Sequence, residues 1–173
     1  MIFGLSVAAF TLLHVIITLI AIASGLVVLF GMLGAHRLPG WTALFLVTTL
    51  LTSVTGFMFP IHGFTPALGT GAVSIVLLVA ALIALYGKHL AGVWRWIYVV
   101  TAIAALYFNV LVLIVQSFEK LTLLNPSAPV VGPPFAEPVN THFVVAQVVA
   151  LLLFIVLGTS AVIRFRPVPA QVR

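Results

Sequence analysis

Residues 4–33 read GLSVAAFTLLHVIITLIAIASGLVVLFGML. The run holds no Lys, Arg, Asp, Glu or Pro, and His14 is its one ionisable side chain. A spanning helix needs roughly 20 apolar residues, so this stretch is long enough to cross a bilayer, and nothing in it interrupts a helix. Ala21-Ile22-Ala23 has the small-residue spacing of a signal-peptidase site. No basic residue precedes it and the apolar run continues to about Met32, so the segment is expected to be a retained first span.

Four more runs of this kind follow, giving expected spans at about 4–33, 41–60, 69–88, 93–118 and 142–164. His36-Arg37-Leu38-Pro39-Gly40, Pro60 to Pro66 and Lys88 to Gly92 separate the first four, each with Pro or Gly to stop and restart a helix. The last connection, about 119–141, carries prolines at 126, 129, 133, 134 and 138 and favours extended, polyproline-like backbone. The spans and their connections make one transmembrane domain over residues 1–173.

Composition supports the same class. Of 173 residues 64% are hydrophobic and 5% are charged, where a soluble domain has about 25% charged residues. A soluble enzyme, a disordered or collagen-like chain and a disulfide-rich secreted module are excluded, and the absence of Cys removes thiolate chemistry. Seven dispersed Lys and Arg do not make a nucleic-acid footprint, but they do read as topology signals. Arg37, Lys88, Arg95, Arg164, Arg166 and Arg173 fall on one side, with Trp41, Trp94 and Trp96 at that boundary; Lys120, Glu119 and Glu137 fall on the other. The expected fold is an all-α bundle of five transmembrane helices, N-terminus outside and C-terminus cytoplasmic. No internal repeat is visible, and five spans do not divide into equal inverted halves.

Polar side chains within the spans are costly in lipid and mark candidate sites. Counted from residue 4, His14 lies about 15 Å into the first span, and Asn109 is expected at a similar depth in the fourth. Thr11, His14, Thr18, Ala21 and Gly25 share one helical face, while Thr101, Ala105, Asn109, Val112 and Gln116 share another. The second span adds Thr48, Thr49, Thr52, Ser53 and Thr55, and the fifth adds Gln147. These residues predict an outward-opening pocket with His14 and Asn109 as floor. Its walls would be Thr52, Thr55, Tyr107 and Gln147, and its rim His62, Gln116, Glu119 and His142. A neutral imidazole among amides and hydroxyls suits the head group of a lipid-like or quinone-like molecule. Each residue also has a structural use: Ser and Thr bond their own helix backbone, and a His14–Asn109 pair would pin two helices at about 0.6–2 kcal/mol.

The cofactor is left open. A b-type haem needs a second axial His facing the first, or one His with an open position, and only His14 is deep. No short ligand spacing unites His14, His62, His142 and Glu119 as a metal site. Two acids, neither inside a span, and the absence of GxSxG, HExxH or a phosphate loop lean away from an enzyme.

Two stretches carry a resemblance: Thr52 to Pro66 (TSVTGFMFPIHGFTP), and Trp94-Arg95-Trp96-Ile97-Tyr98 running on to Tyr107-Phe108-Asn109 and Gln116-Ser117-Phe118. With the His14-Val15 start, the chain resembles a group of small uncharacterised bacterial inner-membrane proteins. The resemblance implies a bacterial inner membrane and carries no activity, cofactor or residue role. The expected function is thus a non-catalytic binding or accessory protein for a hydrophobic small molecule. A haem b redox protein, a structural subunit of a membrane complex and a homo-oligomer stand as alternatives.

Overall fold

The computed structural model describes residues 4–59, 66–120 and 141–166. His62, Glu137 and almost all of the Pro-rich connection lie outside them. Five helices make up the described chain: α1 (Val7–Leu33), α2 (Pro39–Gly56), α3 (Pro66–Leu82), α4 (Trp94–Lys120) and α5 (Thr141–Arg164). Four stretches are long and apolar enough to cross a membrane: α1, Ala67–Gly87 on α3 and its continuation, α4 and α5. The chain is therefore a multi-pass membrane protein by its helices.

Local chemistry sets the helix ends. Ser6 caps α1 by accepting from the Ala9 N–H at 3.2 Å. At the other end the Gly34 N–H returns to the Phe30 carbonyl. Ala35 then takes a left-handed φ of 58°, and Pro39, with its preset φ, opens α2. α3 continues through a π-helical turn, Ile83–Gly87. The chain reverses through His89, Leu90 and Gly92, at φ of 49°, 61° and 53°.

α4 is the hub and packs against all four other helices. The tight core lies toward the end rich in Arg and Lys, here called the basic end. It joins Val28, Leu29 and Met32 of α1, Phe45 and Leu46 of α2, Leu78 and Ala81 of α3, Tyr98 to Leu106 of α4, and Ala161 of α5. Outside this core the pattern of a soluble protein is inverted. Val145, Val149, Leu152 and Val156 of α5, like Leu12, Ile16 and Leu19 of α1, are exposed. A surface of this kind requires hydrocarbon as its solvent.

α2 is the exception among the five. At 18 residues it is about 27 Å long, and its five Thr and one Ser lower its apolar character. Three of those hydroxyls are satisfied within the helix: Thr48 donates to Leu44 O (2.6 Å), Ser53 to Thr49 O (3.0 Å) and Thr55 to Leu51 O (2.7 Å).

One side chain ties the first turn of α4 to the last turn of α5. Arg95 Nη1 donates to the carbonyls of Val162 (2.9 Å) and Phe165, acceptors that a helix end otherwise leaves open. Arg95→Gln is expected to lower stability by about 1.5–3 kcal/mol, the worth of hydrogen bonds from a charged donor. An unchanged midpoint in detergent-titrated unfolding would show that water satisfies those carbonyls equally well.

Candidate functional site

At the end opposite the tight core the helices separate around a cavity of about 110 Å³. α1 contributes His14 and Thr18, α2 Thr52 and Ser53, and α4 Phe108 and Asn109. α3 contributes Ala67, Thr70, Gly71 and Ser74. The opening exists because α3 presents small residues at three-, four- and seven-residue spacings. They hold its backbone in place without filling the gap. Phe57 and Ala67 of the lining are exposed, so the cavity reaches the surface between the end of α2 and the start of α3.

The hydrogen bonds give the cavity a defined polarity. His14 Nδ1 lies 2.7 Å from Thr55 Oγ1. The Thr55 hydroxyl has one proton, and it donates that proton to the Leu51 carbonyl at 2.7 Å. A tautomer with its N–H on Nδ1 lets the imidazole donate to Thr55 while that hydroxyl keeps its bond to Leu51. A neutral ring in that tautomer keeps a lone pair on Nε2. Among the described residues nothing hydrogen-bonds to Nε2. The Thr18 hydroxyl donates to the His14 carbonyl at 2.9 Å and lies 3.3 Å from Thr52 Oγ1. In the longer contact Thr52 is the acceptor, and no bond among the described residues uses its own proton, so its hydroxyl is the available donor on this wall. Phe59 stands edge-on to the imidazole, with ring centroids 5.3 Å apart, and edge-on to Phe10 at 5.1 Å. The aromatic edge limits how far the His14 ring can turn.

Asn109 is buried, and its Nδ2 donates to Thr49 Oγ1 at 3.1 Å. The partner threonines of His14 and Asn109 are thus six residues apart on α2, a separation of about 9 Å along the helix. Because α1 begins at Val7, His14 sits about 10 Å below the helix start rather than 15 Å. The two residues do not pair with each other. They mark two levels of one cavity, Asn109 the deeper.

The structure gathers His14, Thr52 and Asn109 around that space and places Thr55 directly behind His14. It takes Tyr107, Gln147 and Gln116 elsewhere. Tyr107 packs between Phe108 and Phe154, at centroid distances of 5.8 and 5.6 Å. Gln147 donates to the Leu111 carbonyl at 3.2 Å across the α4–α5 contact, with its Oε1 buried and unpaired among the described residues. Gln116 donates to Glu119 Oε2 at 3.2 Å. His142 is exposed in the first turn of α5, and His62 lies outside the described residues. In the sequence, Ala67, Gly71 and Ser74 carry only the small-residue spacing of an ordinary packing face. A small-residue face signals close packing and a cavity in the same way, and the facing side chains decide between them. Among the described residues no three His, Asp or Glu side chains group as metal ligands.

Comparison of the chain with known protein families, curated proteins and solved structures finds no match.

Proposed function

We propose that this protein is a non-catalytic binding or accessory protein of a bacterial inner membrane. It would hold the polar head of a lipid-like or quinone-like molecule in the cavity between α1, α2, α3 and α4. The observation that carries the reading is the His14–Thr55 bond; with Nδ1 as its donor, Nε2 keeps a lone pair for a guest in that cavity. With the Thr52 hydroxyl beside it, the wall offers one acceptor and one donor to a guest, in otherwise apolar surroundings. A hydroxyl or carbonyl on a small ring meets both requirements. A few placed polar groups in an apolar hollow is the usual composition of small-molecule sites. The volume suits a head group rather than a whole lipid, whose tail would leave past Phe57 and Ala67.

In this reading α2 is the fifth span. Thr48, Ser53 and Thr55 donate to its own carbonyls, and Thr42, Thr49 and Thr52 are buried or half-buried, so few of its hydroxyls meet lipid. The basic residues then lie on the cytoplasmic face and the N-terminus outside.

The test is native mass spectrometry of protein extracted gently from its own membrane, beside the cavity-filling variant Ser74→Phe. A stoichiometric mass excess on the native chain, absent from Ser74→Phe, is the expected result. A bare native chain, or equal excess on both, would overturn the assignment.

A further inference from the structure

A second cavity, of about 150 Å³, lies at the basic end, on the far side of the tight core from His14. Its polar lining is His36 and Arg37 from the α1–α2 turn, Thr42 of α2, Tyr86 of the π-helical turn, His89 of the α3–α4 turn, and Tyr98 of α4. We propose that this cavity binds a phosphate group, carried either by an anionic lipid or by a soluble phosphorylated molecule.

The floor is built. Tyr98 is 2% exposed and Thr42 6%, and both side chains line the hollow. Val28, Met32 and Leu85 complete an apolar base. Above it, Arg37, His36, His89 and Tyr86 are exposed, which leaves a ring of N–H and O–H donors around the mouth. A water needs about 10–15 Å³ of such space, so the hollow has room for a tetrahedral anion.

The charges near this cavity favour an anionic guest. The chain has two acids in all, and Glu119, the one described, lies 21 residues along α4 from Tyr98, about 31 Å away. Arg37 therefore has no carboxylate partner among the described residues. Lys88 is engaged with the Trp94 ring, 5.6 Å from its centroid, and Arg95 with the α5 carbonyls. Among the described residues no acid or carbonyl holds Arg37, and guanidinium binds phosphate in a bidentate fork. The backbone is shaped to match. His36 follows Ala35, and His89 precedes Leu90, at non-glycine positions with left-handed φ; such conformations are costly and concentrate at functional sites. The π turn that carries Tyr86 belongs to the same category.

The experiment uses the full chain in nanodiscs of phosphatidylcholine with one-fifth phosphatidylglycerol, and native mass spectrometry reads the ratio of the two lipids retained. The native protein is expected to favour phosphatidylglycerol. Arg37→Gln should reduce that preference at least tenfold, while Arg166→Gln, which removes the same charge from the same end outside the cavity, should leave it within twofold. Tyr86→Phe, which deletes one exposed hydroxyl, should reduce it severalfold and serves if Arg37→Gln fails to fold. In a parallel arm, inorganic phosphate is titrated against the protein in pure phosphatidylcholine nanodiscs. Saturable phosphate binding lost in Arg37→Gln, with displacement of phosphatidylglycerol, supports the site and identifies a soluble ligand. Lipid preference that phosphate does not displace supports it and identifies the lipid. Equal losses in Arg37→Gln and Arg166→Gln would overturn the proposal in favour of general surface charge. Binding of neither probe would overturn it outright.

Discussion

Gly25→Leu is expected to abolish recovery of a monodisperse protein, and Gly25→Ala to cost about 1–3 kcal/mol. A Cβ at this position would lie 2.5 Å from Leu106 Cδ1 and 2.9 Å from the Phe45 ring. These three residues mark where α1, α2 and α4 meet. Leu106 and Phe45 are each 1% exposed, so neither can swing toward lipid to make room. A close-packed interior transmits the strain into both neighbouring helices. Gly40 supplies the comparison, since a Cβ there meets nothing within 4 Å. Gly40→Ala should be neutral or stabilise by up to about 1 kcal/mol through the unfolded chain. Unfolding midpoints in mild detergent for the native chain and the three variants decide the matter. A Gly25→Ala midpoint equal to the native one would mean that Leu106 has a second rotamer available, and that the core is looser than its burial indicates.

His14→Ala is expected to cut ligand retention at least tenfold, the equivalent of about 1.4 kcal/mol. The substitution removes the acceptor at the cavity wall and the ring on which Phe59 rests. His14→Gln should recover part of the loss, because an amide can donate to Thr55 and accept from a guest. Thr55→Val tests the orientation of the ring separately. It leaves Nδ1 without its acceptor, so the proton is no longer held on that nitrogen. Nitrogen-15 NMR of histidine-labelled protein should find Nδ1 protonated in the native chain and a mixture of tautomers in Thr55→Val, with retention reduced severalfold. Protonation at Nε2 in the native chain would reverse the polarity assigned to the cavity. Undiminished retention in His14→Ala would leave His14 a packing residue.

Much of the architecture was legible before any coordinates. The five helices fall within a few residues of the apolar runs. Pro39, Pro66 and the Lys88–Gly92 turn lie where helices begin or reverse. Individual site residues were legible by type, since His14 and Asn109 are the most polar side chains deep in their runs. Their partners were not. Equal depth counted from the run ends suggested a His14–Asn109 pair, whereas the helices are rotated so that each finds a different threonine on α2. Tyr107 and Gln147 were grouped with the pocket too, and their helical faces place them at the α4–α5 contact instead.

Hydropathy is a local property, and so the sequence by itself determined that this chain is helical, where its helices start and stop, and that hydrocarbon surrounds them. Helix rotation is not local. In a soluble bundle the polar face points outward and reveals it. Here the lipid-facing and core-facing surfaces are both apolar, and only the fit of small residues against large ones selects the rotation. That selection, made at Gly25 against Leu106 and along the Gly71–Ser74 face of α3, is what the tertiary structure decided. It packed one end of the bundle tightly and left His14 and Asn109 on the walls of a cavity at the other.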